Sequence, residues 1–375
     1  MEKIWANSGD SHFLEPPDLW RQILPPSLAE RMPRAEKVAE DEEVVHVDGE
    51  SFRRKLPKIV TRKDADGLTI SELGSRPPGA RDVKARMADL DHEGVWAEVV
   101  YSSLGLWSNY IKDQRLVREA AKAQNEWLVS ELKSVAPDRL VPAAQMPLLS
   151  VDDAVVEVGH VADIGLHIIS LPTGVAPGMP DWHRDDWEPL WAAAEEAGVV
   201  VGFHIGTDGG DPAVFRGPGG AVLNYVETTY GGQRVATKLV TSGALDRHPG
   251  LKLLISEGGA SWVPFLGDRM NESYRQHAMM VQPKLSRSPK EILYDQVYAS
   301  FQHDESAVSA LTANGYQNLM WGSDYPHLEG TYGHTQETLH ELFDEVDDAA
   351  TYRVTVGAFL DLFPEVGAPP GVTQP

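Results

Sequence analysis

Residues 140–204 read LVPAAQM at 140–146, AVVEVGHVA at 154–162, HIISL at 167–171, WEPLWAAAEEA at 187–197 and VVVGFH at 199–204. The first, third and last of these runs are short, apolar and partly β-branched, which is typical of strands buried in a parallel sheet. The second and fourth runs have the amphipathic spacing of helices. This alternation of strand and helix predicts an α/β fold with a parallel sheet.

The same alternation extends along most of the chain. Eight strands are predicted, at Ile4–His12, Val95–Tyr101, Leu140–Met146, His167–Leu171, Val199–His204, Leu251–Glu257, Gln296–Gln302 and Leu319–Asp324. Helices are predicted between them, at Leu116–Leu132, Ala154–Ala162, Trp187–Ala197, Val235–Leu245 and Ser306–Ala313. Eight strands with intervening helices predict a (β/α)8 TIM barrel, a fold that usually needs about 250 residues.

The chain has 375 residues, so the barrel must carry insertions. We expect a single domain over residues 1–366 and a flexible tail rich in Pro and Gly at 367–375. The largest insertion follows the first strand, over residues of about 13–80, and contains a predicted hairpin, residues 44–53, that turns at Asp48-Gly49. Long loops also follow the fourth and fifth strands, on the side of the barrel where active sites form.

Composition restricts the function. The chain has 33 Lys and Arg against 56 Asp and Glu, a formal charge of −23, which repels nucleic-acid phosphates and anionic membrane surfaces. It has no cysteine, so disulfides, thiolate nucleophiles and zinc–thiolate sites are excluded and any metal must be bound by nitrogen or oxygen. We find no signal peptide or membrane span and expect a cytoplasmic protein with a small-molecule substrate. The oligomeric state stays open, a homo-oligomer included.

Side chains able to bind a metal lie at the ends of five predicted strands: Asp10 and His12 with Glu15 after them, His204, Glu257, His303 and Asp324. The i, i+2 spacing of Asp10 and His12 points both side chains into the barrel mouth. Singly, Asp10 could stabilise a turn, Glu15 could cap a helix and His303 could be an exposed loop residue. Together they predict a metal site, because buried charged groups are costly unless they are paired or bind a metal.

Three motifs resemble the amidohydrolase-related family, which includes aminocarboxymuconate-semialdehyde decarboxylase and resorcylate-type decarboxylases. They are DSHFLEPP at 10–17, His204 after the fifth strand, and GSDYPH at 322–327. The resemblance covers residues of about 4–360. It implies a (β/α)8 barrel in which a divalent metal is held by Asp10, His12, His204 and Asp324.

Glu257 departs from the decarboxylase pattern, which usually has a catalytic histidine after the sixth strand. A carboxylate there can bridge two cations, and His303 supplies a further imidazole. The candidate metal ligands then number seven, namely Asp10, His12, Glu15, His204, Glu257, His303 and Asp324. Because one tetrahedral metal uses about four ligands, the surplus indicates two metals. Carboxylate and imidazole ligands without sulfur suit Fe, Mn or Zn.

Within this family the sequence is similar to a branch of TIM-barrel non-haem di-iron monooxygenases from platensimycin and platencin diterpenoid biosynthesis. The resemblance implies two Fe ions, an electron donor and O2-dependent hydroxylation of a bulky apolar CoA-linked substrate. The alternative is a Zn- or Mn-dependent hydrolase or non-oxidative decarboxylase in which Asp324 handles the proton. Glu257 and Asp324 are the candidate catalytic residues. A barrel that only binds a ligand would not need metal-binding groups at five strand ends.

Two features bear on the substrate. Aromatic residues are expected near the mouth, partly as core and partly as pocket lining for an apolar substrate: Trp107, Tyr110, Trp182, Phe203, Phe215, Trp321, Tyr325 and Tyr332. Residues 52–63 contain six basic residues and no acidic one, either as a solvated hairpin edge or as a cradle for CoA phosphates. The candidate substrate contacts are Arg53, Arg54, Lys55, Trp107, Tyr325 and His327.

Overall fold

The computed structural model describes residues 2–375 apart from residues 17, 40–41, 56–61, 64–68, 72–76, 103–110, 177, 209–213 and 328. The strands are β1 Ala6–Ser8, β2 His12–Phe13, β3 Arg34–Ala39, β4 Glu42–Val47, β5 Glu50–Lys55, β6 Arg62–Lys63, β7 Thr69–Ser71, β8 Val95–Ser102, β9 Leu140–Gln145, β10 Ile168–Pro172, β11 Val200–His204, β12 Leu253–Ser256, β13 Val297–Phe301 and β14 Leu319–Trp321.

The α-helices are α1 Leu19–Ile23, α2 Pro26–Ala29, α3 Val83–Glu93, α4 Gln114–Leu128, α5 Val151–Asp163, α6 Glu188–Ala197, α7 Gly220–Thr241, α8 Ala244–Arg247, α9 Trp262–Gln276, α10 Pro289–Gln296, α11 Glu305–Thr312, α12 Thr335–Phe343, α13 Asp348–Tyr352 and α14 Ala358–Leu362. A π-helical turn continues α4 over Val129–Lys133, and another joins α13 to α14 over Arg353–Gly357. Short 3-10 helices lie at Pro78–Ala80, Asp185–Trp187 and Pro364–Val366. None of the described helices is long and apolar enough to cross a membrane.

The main sheet is parallel, with hydrogen-bonded neighbours in the order β1-β8-β9-β10-β11-β12-β13-β14. Its two edges meet beyond β1 and β14, where Gly9 N donates to Trp321 O at 2.9 Å and Asp324 N donates to Asp10 O at 3.1 Å. The sheet is therefore a nearly closed barrel. This confirms the predicted (β/α)8 fold.

The first predicted strand is interrupted. After β1 the Ser8 hydroxyl donates to Asp10 O at 2.6 Å, which bends the backbone, and extended pairing to β8 resumes only at His12. Gly9 and Asp10 bond to β14 and to the segment after it. Ser11 forms an isolated bridge with Tyr325, and its carbonyl accepts from Tyr101 N on β8 at 2.8 Å. The break places Asp10 and His12 where the barrel closes.

Alternate strand residues pack on opposite sides of the barrel wall. In β11, Val200 belongs to the apolar cluster inside the barrel, whereas Val201 and Phe203 belong to the cluster shared with the surrounding helices. The interior cluster also includes Tyr101, Leu254 and other strand residues on the same face. This packed interior supports the strand ends that form the mouth.

The insertion after the first strand contains a three-stranded antiparallel sheet in the order β3-β4-β5. Its β4–β5 turn lies at Asp48 and Gly49, which have φ angles of 46° and 82°, values typical of a hairpin turn. The strand β3 was not predicted, because every residue of Arg34–Ala39 is exposed and the sequence lacks apolar alternation. Residues 367–375 form no helix or strand.

Candidate metal centre

Five of the predicted ligands lie together at the carboxyl ends of the barrel strands: Asp10 after β1, His12 at the start of β2, His204 at the end of β11, Glu257 after β12 and Asp324 after β14. Two of them, Glu257 and Asp324, have left-handed backbone conformations with φ angles of 59° and 50°. Non-glycine residues rarely adopt this conformation, and those that do are frequent at functional sites. The backbone N–H of Glu257 is held by Ser300 Oγ at 3.0 Å.

The side chains converge on two imidazoles. His12 Nε2 lies 3.0 Å from His204 Nε2 and 3.3 Å from Asp324 Oδ1. His204 Nε2 in turn lies 3.4 Å from Asp10 Oδ1 and 3.5 Å from Glu257 Oε2. We call Asp10, His12, His204 and Glu257 the donor cluster; one donor atom from each lies within 4.8 Å of the others.

The donor cluster fits a divalent metal. Ligands about 2.1 Å from one ion lie about 3.0–3.4 Å from each other, close to the spacings of 3.0, 3.4 and 3.5 Å around His204 Nε2. Asp10 is fully buried, and neither carboxylate oxygen accepts a hydrogen bond of normal geometry from the described residues. Burial and the carboxylate of Asp324 also raise the pKa of Glu257 well above its ordinary value. A divalent cation would satisfy the buried oxygens and neutralise this crowding of carboxylates.

The backbone selects which nitrogen of His204 faces the cluster. Its Nδ1 donates to Ile205 O at 2.8 Å, which leaves Nε2 as the ligand atom. Burial opposes protonation of His204, but the carboxylates of Asp10 and Glu257 outweigh it and raise its pKa to about 10. Burial lowers the pKa of His12 well below the ordinary value, and the neighbouring His327 and His204 lower it further. A metal bound at this site would replace the proton on His204 Nε2.

Two more groups of potential ligands adjoin the donor cluster. His327 Nδ1 lies 2.8 Å from Asp324 Oδ1, and its ring stacks on His12 with centroids 4.0 Å apart. Glu257, Asp324 and Glu329 form a further group of carboxylates. Glu329 lies in the loop after Asp324 and was missed, because its sequence neighbourhood carries no metal-binding pattern.

Two of the predicted ligands, Glu15 and His303, lie outside the groups of converging ligands among the described residues. Glu15 lies beyond β2 and accepts a hydrogen bond from Gln124 Nε2 at 2.7 Å. His303 is exposed, with Nε2 3.2 Å from Glu329 O and its ring stacked on His334. Both were assigned because they follow strands, but the loops direct their side chains elsewhere.

A cavity of about 350 Å³ opens above the donor cluster. Its described lining residues are His12, Tyr101, Ser102, Ser170, His204, Ile205, Gly206, Thr207, Ala221, Asn224, Tyr225, Thr228, Glu257, His327 and Glu329. Asp324 does not belong to this lining but lies directly behind it, with Oδ1 3.3 Å from His12 Nε2. Most of these residues have polar side chains, but the surface that they expose to the cavity is largely apolar, and none of the described ones is a Lys or Arg.

None of the described aromatic residues that the sequence predicted near the mouth lines the cavity. Trp182, Phe203 and Trp321 are buried in the apolar core. Tyr325 is also buried, because its ring packs under Arg86 at 4.7 Å and its hydroxyl donates to Asp89 at 2.6 Å. Phe215 and Tyr332 do not line the cavity, and Trp107 and Tyr110 lie outside the described residues. Tyr325 is therefore a structural residue and not a substrate contact.

Arg53 is the only residue of the basic segment whose side chain the structure describes, and it does not line the cavity. Arg53 lies on β5 with its side chain mostly exposed, and its Nη1 pairs with Glu42 at 3.1 Å. For Arg54 and Lys55 the structure describes the backbone strand alone, and residues 56–61 lie outside the described residues. Of the predicted substrate contacts whose side chains the structure describes, namely Arg53, Tyr325 and His327, only His327 lines the cavity.

Comparison with known proteins places the chain in a family. The sequence model of the amidohydrolase family matches residues 87–358. The decarboxylase yanB of Aspergillus niger is 24% identical over 270 residues, which cover 67% of each protein. An amidohydrolase structure from Mycobacterium avium subsp. paratuberculosis superposes with a TM-score of 0.79 at 20% identity, covering 96% of this chain and 99% of that one.

A dihydroxybenzoic acid decarboxylase from Polaromonas, solved with manganese and the inhibitor 2-nitroresorcinol, shares the fold with a TM-score of 0.62 at 16% identity. The alignment covers 97% of this chain and 98% of that one. The metal-compatible cluster thus lies on a barrel whose sequence matches one family over most of its length. The chain belongs to the amidohydrolase family.

Proposed function

We propose that the protein is a divalent-metal enzyme that removes the carboxyl group of a small hydroxylated aromatic acid without oxidation. The observation that carries the proposal is that the donor cluster lies at a cavity of about 350 Å³. This volume is near the lower end of the range of about 300–1,000 Å³ for ligand pockets. This size suits a single ring better than a diterpenoid. The decarboxylases among the similar proteins support the same reaction class.

Asp10, His12, His204 and Glu257 would hold the metal. When bound, a divalent metal polarises a carboxylate or hydroxyl oxygen of the substrate. Hydrolysis of an ester or amide would use the same residues. Detection of CO2 distinguishes decarboxylation from hydrolysis.

The protein must also supply a proton. In decarboxylation the bond from the ring to the carboxyl carbon breaks, its electron pair stays on the ring carbon, that carbon takes a proton and CO2 leaves. His327 lines the cavity beside the donor cluster and would deliver this proton, whereas Glu257 would be occupied as a metal ligand. Asp324, the residue predicted to handle the proton, is buried with Oδ1 2.8 Å from His327 Nδ1 and would act on the substrate through that imidazole.

The test is turnover without oxygen. Protein loaded with Mn²⁺ is incubated under nitrogen with 2,6-dihydroxybenzoate, other hydroxybenzoates and 5-carboxyvanillate, and CO2 and the decarboxylated ring are measured. We expect release of CO2 from at least one acid at the same rate with and without air. His12→Ala is the inactive control. No CO2 from any of these acids would refute the proposed reaction.

A di-iron monooxygenase acting on a CoA-linked apolar substrate is the second candidate. The carboxylates of Glu257, Asp324 and Glu329 favour it, because they adjoin the donor cluster and could hold a second cation. The enzyme would then need an electron donor and O2. The basic residues Arg53, Arg54 and Lys55 would bind the CoA phosphates outside the described cavity.

Glu257→Gln separates the two candidates, because the amide keeps the shape of the side chain and removes its charge. With one metal held in part by Glu257, we expect one ion per chain in the wild type and, in the variant, weaker binding of that ion and a lower turnover that still needs no O2. With two bridged metals, the wild type holds two ions, the variant loses one, and O2 consumption stops. Elemental analysis and O2 uptake on the same preparations give the answer.

A further inference from the structure

The cavity wall contains seven neutral polar side chains among the described residues: Tyr101, Ser102, Ser170, Thr207, Asn224, Tyr225 and Thr228. Four of them form hydrogen bonds within the protein. The Tyr101 hydroxyl bonds Ser256 Oγ at 2.7 Å, and Thr207 Oγ1 donates to His204 O at 2.6 Å.

The other two engaged side chains lie on α7. Thr228 Oγ1 donates to Tyr225 O at 2.6 Å, and Asn224 bonds both the N–H and the carbonyl of Phe215, at 2.9 and 3.0 Å. These four groups shape the wall and have little capacity left for a ligand.

Ser102 differs from these four side chains. It ends β8, is 5% exposed, and its Oγ has no hydrogen-bond partner among the described residues. Ser170 lies in the same wall on β10, two strands away. Beside it, Gln145 on β9 pairs in register with Ser170, is 5% exposed, and has an Nε2 without a partner in the described part of the chain. Buried polar atoms of this kind cost free energy unless a ligand satisfies them.

The two sides of the cavity have different chemistry. The donor cluster comes from the ends of β1, β2, β11 and β12, whereas β8, β9 and β10 contribute none of its residues. No Lys or Arg occurs among the described lining residues, so this second side offers no charge to an anion. Its free groups suit a neutral donor or acceptor.

We propose that Ser102 and Ser170 bind a neutral hydrogen-bonding group of the substrate, a ring hydroxyl or an amide, while the acid group lies at the donor cluster. The inference rests on the proposed function for the position of the acid group. The two serines would then determine specificity. The site would bind a singly charged acid with a distal polar substituent more tightly than a dianion.

Direct binding tests the assignment. The affinities of the Mn²⁺-loaded protein for 2-hydroxybenzoate and for 2,3-, 2,4-, 2,5- and 2,6-dihydroxybenzoate are measured by calorimetry. We expect one dihydroxy isomer to bind about tenfold more tightly than 2-hydroxybenzoate, as one satisfied buried hydrogen bond allows. Ser102→Ala or Ser170→Ala should reduce this preference below about twofold.

Thr229→Val is the matched control, because Thr229 lies on α7 outside the described cavity lining, its hydroxyl donates to Val226 O at 2.8 Å, and its loss should leave the preference intact. Equal affinity for all five acids, absence of binding, or a preference that survives in both serine variants would overturn the assignment. Turnover is measured separately. If the protein prefers one dihydroxy isomer but releases no CO2, the serine site stands and the decarboxylase proposal is refuted. If it releases CO2 but binds all the acids equally, the decarboxylase proposal stands and the serine site is refuted.

Discussion

His204 shows how one side chain is prepared for a metal. Its Nδ1 is held by Ile205 O, and its Nε2 is surrounded by His12, Asp10 and Glu257. The residue lies at the mouth of the barrel, above the packed interior. Its loss should therefore affect metal binding far more than folding.

We expect His204→Ala to weaken metal binding by at least about 100-fold while the protein still folds, because loss of a residue that only orients a ligand already costs about 10–100-fold. Metal content after gel filtration and circular dichroism measure the two effects. His248→Gln is a control, because His248 is a similarly buried histidine that bonds Glu195 and Glu188 at 2.8 Å, away from the cluster. Metal at the wild-type level in His204→Ala would exclude the residue as a ligand.

At the scale of elements, a buried ion pair joins α3 to the metal-bearing segment. Arg86 donates through Nε to Glu98 on β8, through Nη1 to His12 O at 2.9 Å and through Nη2 to Ser11 Oγ at 3.0 Å. Both charged side chains are fully buried. The guanidinium thereby fixes the backbone that carries His12.

Breaking this pair leaves a charge buried without its partner, so Arg86→Met should lower the free energy of unfolding by about 3–5 kcal/mol. Metal binding should weaken as well, because the His12 backbone loses a donor. Urea denaturation and metal titration measure both effects. The double variant Arg86→Met/Glu98→Met should recover part of the stability; a double variant less stable than Arg86→Met would contradict the buried-charge explanation.

The β4–β5 turn is attached to the barrel by Asp48. Its carboxylate accepts hydrogen bonds from Arg31 Nη2 at 2.7 Å and from the backbone N–H groups of Lys112 and Asp113 at 2.8 and 2.9 Å. Burial opposes the charged form, but these hydrogen bonds outweigh it and lower the pKa of Asp48 below its ordinary value of 3.8. The stabilisation is therefore present above that value and is lost as the pH falls through the lowered pKa.

Asp48→Asn removes the charge that these donors stabilise. We expect a loss of about 1–3 kcal/mol of unfolding free energy at pH 7 and a smaller loss at pH 3. Urea denaturation of both proteins at the two pH values is the measurement. An equal loss at both values would show that the carboxylate charge makes no contribution.

At the scale of the whole molecule, the metal should stabilise the fold. The chain carries a net charge of −23, and several of its carboxylates are buried within one mouth. A cation that binds only the folded state adds about 2.7 kcal/mol at a concentration 100 times its Kd.

We expect the wild-type melting temperature to fall after treatment with EDTA and to rise with added Mn²⁺. His12→Ala should show no such response, because it lacks a central ligand of the donor cluster. Differential scanning fluorimetry across a metal titration makes the comparison. Equal shifts in both proteins would assign the stabilisation to surface carboxylates.

Strand order and most of the ligand positions were predictable from the sequence. Apolar runs alternate with helical spacing, and this local pattern specifies parallel strands with helices between them. A residue at the end of such a strand must lie near the mouth, whatever the surrounding loops do. Asp10, His12, His204, Glu257 and Asp324 follow this rule, and the structure brings all five together.

Only the tertiary structure decided the paths of the loops and the hydrogen-bond partners of the polar side chains. Glu15 and His303 follow strands as well, but their side chains contact Gln124 and the Glu329 carbonyl, and Glu329 reaches the site from a loop whose path no periodicity describes. The free Ser102 hydroxyl differs from the engaged Thr228 hydroxyl only in what lies beside it. A sequence pattern reports the period of a strand or helix, whereas loop paths and hydrogen-bond partners depend on contacts between distant residues.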